Sequence, residues 1–153
     1  MKRCFALWSF LVVCIPVQGL CADAQEQTYV GSKACSQCHL KEYEQFIKYS
    51  KKAKAWDSIA IMQPKLEAGE FRQCFECHTT GYGRKGGFVN KEATPGLAEV
   101  GCESCHGPGS DHAATGEPGR IVRRPSLETC TACHNAQRVK DFSFKPLLCA
   151  GAH

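Results

Sequence analysis

The pattern Cys-x-x-Cys-His occurs four times in this chain, as Cys35-Ser36-Gln37-Cys38-His39, Cys74-Phe75-Glu76-Cys77-His78, Cys102-Glu103-Ser104-Cys105-His106 and Cys130-Thr131-Ala132-Cys133-His134. Its spacing dictates local structure. Cysteines at i and i+3 share one face of a helical turn, and the next histidine lies beside them. Two thiols on one face can meet the two vinyl groups of one porphyrin while the imidazole turns to its iron. A single Cys-x-x-Cys would also fit a redox dithiol or half of a zinc site. Four copies, each followed at once by histidine, are read as four attachment sites for covalently bound haem c.

The N-terminus supports that reading, because haem c is attached outside the bacterial cytoplasm. Lys2 and Arg3 form a charged start, Phe5 to Val17 an apolar run, and Ala22-Asp23-Ala24 a small-residue cleavage site. The expected organisation is an export signal over residues 1–24 and one tetrahaem domain over 25–153, with a periplasmic location. The apolar run is too short to span a bilayer, and no later segment is apolar enough, so no integral membrane segment is expected in the mature chain. Lipid anchoring at Cys21 is not expected, since Leu20 stands where such a site wants Gly or Ala. Of twelve cysteines the motifs take eight, leaving Cys4, Cys14 and Cys21 in the leader and Cys149 as the odd one of the mature protein. A small buried thiol is the expected role for Cys149.

The chain carries 19 Lys and Arg against 15 Asp and Glu, and losing Lys2, Arg3 and Asp23 with the leader changes this to 17 against 14. Four haems, each with two propionates, bring the holoprotein to about −1. The basic balance is therefore no argument for nucleic acid. A mature chain of 153 less 24 residues is one domain by length. It offers too little polypeptide per haem for an ordinary aliphatic core, so the macrocycles are expected to be the core.

The fold class expected is mainly α, with short helices and long loops around the haems and little or no sheet. Ser32 is placed to cap the turn bearing the first motif. From Leu40 to Met62 the periodicity predicts one helix with Tyr43, Phe46, Ile47, Ser50, Ala53 and Ile59 on one face, ended by Pro64. Thr79 to Glu99 reads as loop with room for a short hairpin at 82–89. Residues 107–125 are rich in Gly and Pro and hold Arg120, Arg123 and Arg124, a solvated cluster or partners for propionates. Gly107 and Pro108 end the third turn and let the chain carry His112 elsewhere. Ser126 is placed to cap a fourth-motif helix running to about Arg138.

Axial ligands decide the chemistry. His39, His78, His106 and His134 supply one each, so only His112 and His153 of six histidines remain for four sixth positions. A bis-histidine haem is closed and suits electron transfer, whereas an open one can bind small molecules. Met62 and the lysines Lys51, Lys52 and Lys54 are the other candidate donors.

The run Cys74 to His112, with Gly101 to Gly109 its most specific part, resembles the tetrahaem cytochrome c-554 family, as does Cys35 to Ile59. The resemblance covers about half of the mature chain and fades after His134. It implies haems in closely stacked pairs, with three of the four haems bis-histidine and one five-coordinate. By that likeness His112 is the distal ligand of the haem on His39, and the haem on His78 is the open one. Lys52, or Lys51 if the register slips, stands where the family has a distal histidine, which leaves lysine, a partner chain or vacancy for the third haem. His153 is assigned to the fourth. The function expected is electron transport between redox partner proteins, donor and acceptor unidentified, with electron transfer preferred to enzyme activity. The rivals are a small enzyme reducing a nitrogen oxide at an open haem, and a haem-filament subunit in which His153 reaches the next chain in an open assembly.

Overall fold

A computed structural model describes residues 26–136. Within them are eight short α-helices, several 3-10 turns and no strand, so the mainly helical expectation holds. The helices are α1 (Ser32–Cys35), α2 (Leu40–Tyr49), α3 (Ala55–Ala60), α4 (Ala68–Gln73), α5 (Phe75–His78), α6 (Cys102–His106), α7 (Ser110–Thr115) and α8 (Leu127–Thr131). None is long and apolar enough to cross a membrane. The leader, Cys21, Arg138, Cys149 and His153 lie outside the described residues.

The single helix expected over 40–62 is divided. Ser50 is buried and extended, and its Oγ accepts the Lys52 N–H at 3.3 Å, a local bond that competes with helix continuation. Lys51, Lys52 and Lys54 then crowd one 3-10 turn before α3 begins. Pro64 opens the 3-10 turn Gln63–Lys65, after α3 has already stopped at Ala60. Phe46 and Ile59 of the predicted face are buried, but Ile47 is exposed.

Other local expectations shift for similar reasons. The segment 82–89 forms no strand pair; its turns close through Arg84 N–H to Gly81 O and Gly87 N–H to Arg84 O. Ser32 does not cap its own helix, which has no side-chain cap; its Oγ accepts the Cys102 N–H at 3.0 Å and so caps α6 across space. Gly101 makes this approach possible, since a Cβ there would collide with Ser32 Oγ. Ser126 does precede α8, but caps nothing: its hydroxyl serves Glu128, whose carboxyl it lowers, and the helix ends at Thr131.

The expectation that haems alone form the core also needs correction. Ile59, Phe71, Phe75, Phe88, Leu97 and Ala98 make a buried cluster, flanked by Tyr29, Trp56 and Tyr82. Trp56 packs on Phe71, Phe75 and Phe88 with ring centroids 5.5–5.8 Å apart. Aromatic rings cover more area per residue than aliphatic chains, which lets a short segment bury a core. A reciprocal Glu67–Glu70 capping box starts α4 and leads the chain into the second motif.

Candidate haem-attachment sites

Three of the four motifs close their turn with the same bond, the histidine N–H donating to the first cysteine's carbonyl: His39 to Cys35 at 2.9 Å, His78 to Cys74 at 3.1 Å and His134 to Cys130 at 2.9 Å. The third motif is α6 itself. Gly107, at φ +81, ends it in a conformation that favours glycine, and α7 then carries His112 away as the sequence implied. None of the eight motif cysteines is taken up in a disulfide. Among the described residues, no three His, Cys, Asp or Glu side chains gather as they would around a bare metal ion.

Three described histidines, His78, His106 and His112, each donate from Nδ1 to a backbone carbonyl. His78 Nδ1 donates to Ala55 O at 3.2 Å and lies 3.2 Å from Ser58 Oγ. His106 Nδ1 donates to Val122 O at 2.6 Å, and Val122 N–H returns a bond to His106 O at 3.0 Å. His112 Nδ1 donates to Glu117 O at 2.9 Å. A ring that gives its Nδ1 proton to a carbonyl presents Nε2 as a lone pair, the arrangement found behind metal-bound histidines.

His112 meets His39. Their rings stand with centroids 6.1 Å apart and planes within 20°. Two imidazoles gripping one metal ion through bonds of about 2.0–2.1 Å have centroids about 6 Å apart, and the separation of this stacked pair matches that spacing. Paired thiols, Nε2 lone pairs and a spaced imidazole pair are together a donor set suited to haem c.

The motifs also lie against one another. The Cys35 and Cys102 thiols interact across the two motifs, which pushes the Cys35 thiol up and holds that of Cys102 at about 6. Burial raises the Cys105 thiol, opposed by the Lys52 charge, while the Cys130 thiol adds to the rise. Burial first, and then Lys52, lowers the His134 imidazole. Lys52 is thus within electrostatic reach of both the third and fourth motifs. It is half-buried, whereas Lys51 and Lys54 are exposed. Met62 is 44% exposed. Arg120 pairs with Glu117 at 3.2 Å and approaches Asp111 at 4.0 Å, and Arg123 and Arg124 are exposed.

Two polar residues that sequence reasoning passed over join these sites. Thr80 is buried; its Oγ1 donates to Glu99 O at 2.6 Å and accepts the Gly101 N–H at 2.9 Å, joining the second-motif loop to α6. Glu103, inside the third motif, is 2% exposed and accepts from the N–H groups of Val30, Gly31 and Gly109. The signal for Glu103 was a charged residue confined between two attachment cysteines and followed closely by Gly107-Pro108-Gly109, a turn rich in backbone donors.

The family of cytochrome c554 and c-prime matches residues 34–107, which hold the first three motifs. Cytochrome c-554 of Nitrosomonas europaea is 35% identical over 146 residues, covering 76% of this chain and 60% of that protein. The chain belongs to the cytochrome c-554 family. As a member it is a c-type cytochrome, whose cofactor is covalently bound haem c. The chain spans about 60% of the curated relative's length. No solved structure matches it.

Proposed function

We propose that this protein is an exported electron carrier, passing electrons between redox partner proteins through four closely spaced haems c, in one domain over residues 25–153 that follows a leader at 1–24. The observation that carries the proposal is the bond from Cys102 N–H to Ser32 Oγ at 3.0 Å, with the Cys35 and Cys102 thiols in electrostatic reach of each other, which sets attachment points of two haems side by side. The nearness of Cys105 and Cys130 supports extending the series to the fourth motif. Haem supplies the one-electron chemistry; the chain supplies attachment, axial donors and a fixed separation.

In this reading the cysteine pairs Cys35/Cys38, Cys74/Cys77, Cys102/Cys105 and Cys130/Cys133 hold the haems, with His39, His78, His106 and His134 as proximal ligands. His112 closes the His39 site against exogenous ligands. Lys52 is the donor placed for the third or fourth haem, and His153 serves the fourth. Rapid mixing of the reduced holoprotein with oxidised redox proteins exported by the same cell tests the function. Transfer to at least one of them is expected; reoxidation by none contradicts it.

One observation favours a second reading. Among the described residues no imidazole ring stands against that of His78, whose own ring is fixed by Ala55 and Ser58, so this site is a candidate open haem for a small nitrogen oxide. A high-spin signal that shifts on adding nitric oxide or cyanide supports that reading, and wholly low-spin spectra reject it.

A further inference from the structure

The least expected feature of the molecule is a carboxylate buried in the middle of an attachment motif. Glu103 Oε1 accepts from Val30 N–H at 3.0 Å and Gly109 N–H at 2.7 Å, while Oε2 accepts from Gly31 N–H at 2.7 Å and from Val30 N–H at 3.2 Å. All its partners are neutral backbone donors, and it forms none of the ion pairs seen among the described residues. Accepting on both oxygens and donating from neither is the inventory of an ionised carboxylate. A buried charge satisfied only by dipoles keeps its field, because no cation nearby cancels it.

Its position directs that field. Gly31 is the residue on which α1 begins, so the bonds from Val30 and Gly31 fix the entry to the first motif. Gly109 immediately precedes α7, which bears His112. The carboxylate itself belongs to α6, the third motif. One side chain therefore joins three pieces: the first and third motif helices, and the helix carrying the imidazole stacked on His39. Ser32 adds a bond in the reverse direction, from α1 back to the Cys102 N–H. The charge also reaches Cys35, where it adds to the upward push on the thiol.

We infer that Glu103 is a positioning residue for the first and third haems, fixing the separation of their motifs and, through its negative charge, selectively lowering the reduction potentials of these two haems. The sign follows from charge: reducing a haem removes one unit of positive charge, so a nearby anion favours the oxidised form. This inference rests on the haem reading above and adds the element that differentiates the four sites.

The test is a spectroelectrochemical titration of wild-type, Glu103→Gln and Glu103→Asp holoproteins, with electron paramagnetic resonance of the oxidised forms. Glutamine keeps the shape and removes the charge. At a fixed ambient potential its effect is a change on the order of tenfold in the oxidised-to-reduced ratio, which is about 59 mV upward for a one-electron couple. That shift is expected at two of the four haems. No shift, or an equal shift at all four, overturns the inference. Aspartate keeps the charge but is one methylene too short to serve Gly31 and Gly109 together. It is expected to leave the two potentials low while altering the magnetic interaction between their irons, and an unchanged resonance spectrum overturns the positioning role even where the glutamine chain does not mature. Wild-type protein emerging without haem overturns the reading of the sites as well, whereas haem-loaded wild type with an unshifted Glu103→Gln variant overturns this inference alone.

Discussion

Phe75 and Glu103 hold the same place in their motifs, directly after the first cysteine, and both are buried, 6% and 2% exposed. One is the hub of an aromatic cluster, packing edge-on against Phe71, Tyr82 and Phe88 at 5.1–5.4 Å and tilted against Trp56 at 5.6 Å. The other is the hub of a backbone hydrogen-bond clamp. The second motif is thus anchored by its own hydrophobic core, while the first and third are anchored to each other by polar bonds. The difference teaches that a haem-attachment turn fixes only its cysteines and histidine. The residues between are free to choose how the turn is held, and that choice decides which sites are tied together.

The sharpest way to break the comparison is to remove the aromatic hub. Phe75→Ala is expected to cost about 3–5 kcal/mol, read by denaturant unfolding of the holoprotein, with the loss concentrated at the second site. Ser32→Ala probes the clamp more gently. It deprives the Cys102 N–H of its cap and is expected to cost about 1 kcal/mol, with the spectrum of the second haem unchanged. Lys52→Ala sharpens the seam between the third and fourth motifs. The direct readout is spectral: one low-spin signal is expected to be lost or replaced in the resonance spectrum. An unaltered spectrum removes Lys52 as a ligand.

The smallest effect concerns pH. Burial raises the Glu99 carboxyl, with the Trp56 N–H, 3.1 Å from Oε2, pulling the other way. A raised carboxyl means that the folded state holds its proton longer than the unfolded chain does. Stability from this group is therefore greatest below the ordinary carboxylate range and falls as pH rises through the raised value. Glu99→Gln should flatten that fall, so the variant gains on wild type above this range and not below it, as measured by unfolding at the two pH values.

Much of the sites was legible because the attachment chemistry demands a fixed spacing: each motif forms the turn its cysteines require, and Gly107 ends the third where the sequence said it would. The family likeness pairs His112 with His39, and the two rings lie with centroids 6.1 Å apart. The long helix failed because periodicity carries no penalty for a serine whose hydroxyl competes for a backbone N–H, as Ser50 does for Lys52. Sequence neighbours point Ser32 to its own helix, whereas its partner, Cys102, is 70 residues away and visible only in the folded chain. The aromatic core was discounted by counting aliphatic residues alone, although Trp56, Phe71, Phe75 and Phe88 were there to be read.

The intact mass of the exported, purified protein, taken with its visible spectrum after denaturation, bears most directly on the whole scheme. Four haems bound through thioethers predict a coloured chain heavier than the mature polypeptide by four haem masses, with the colour surviving unfolding. A colourless chain at the bare polypeptide mass would contradict it.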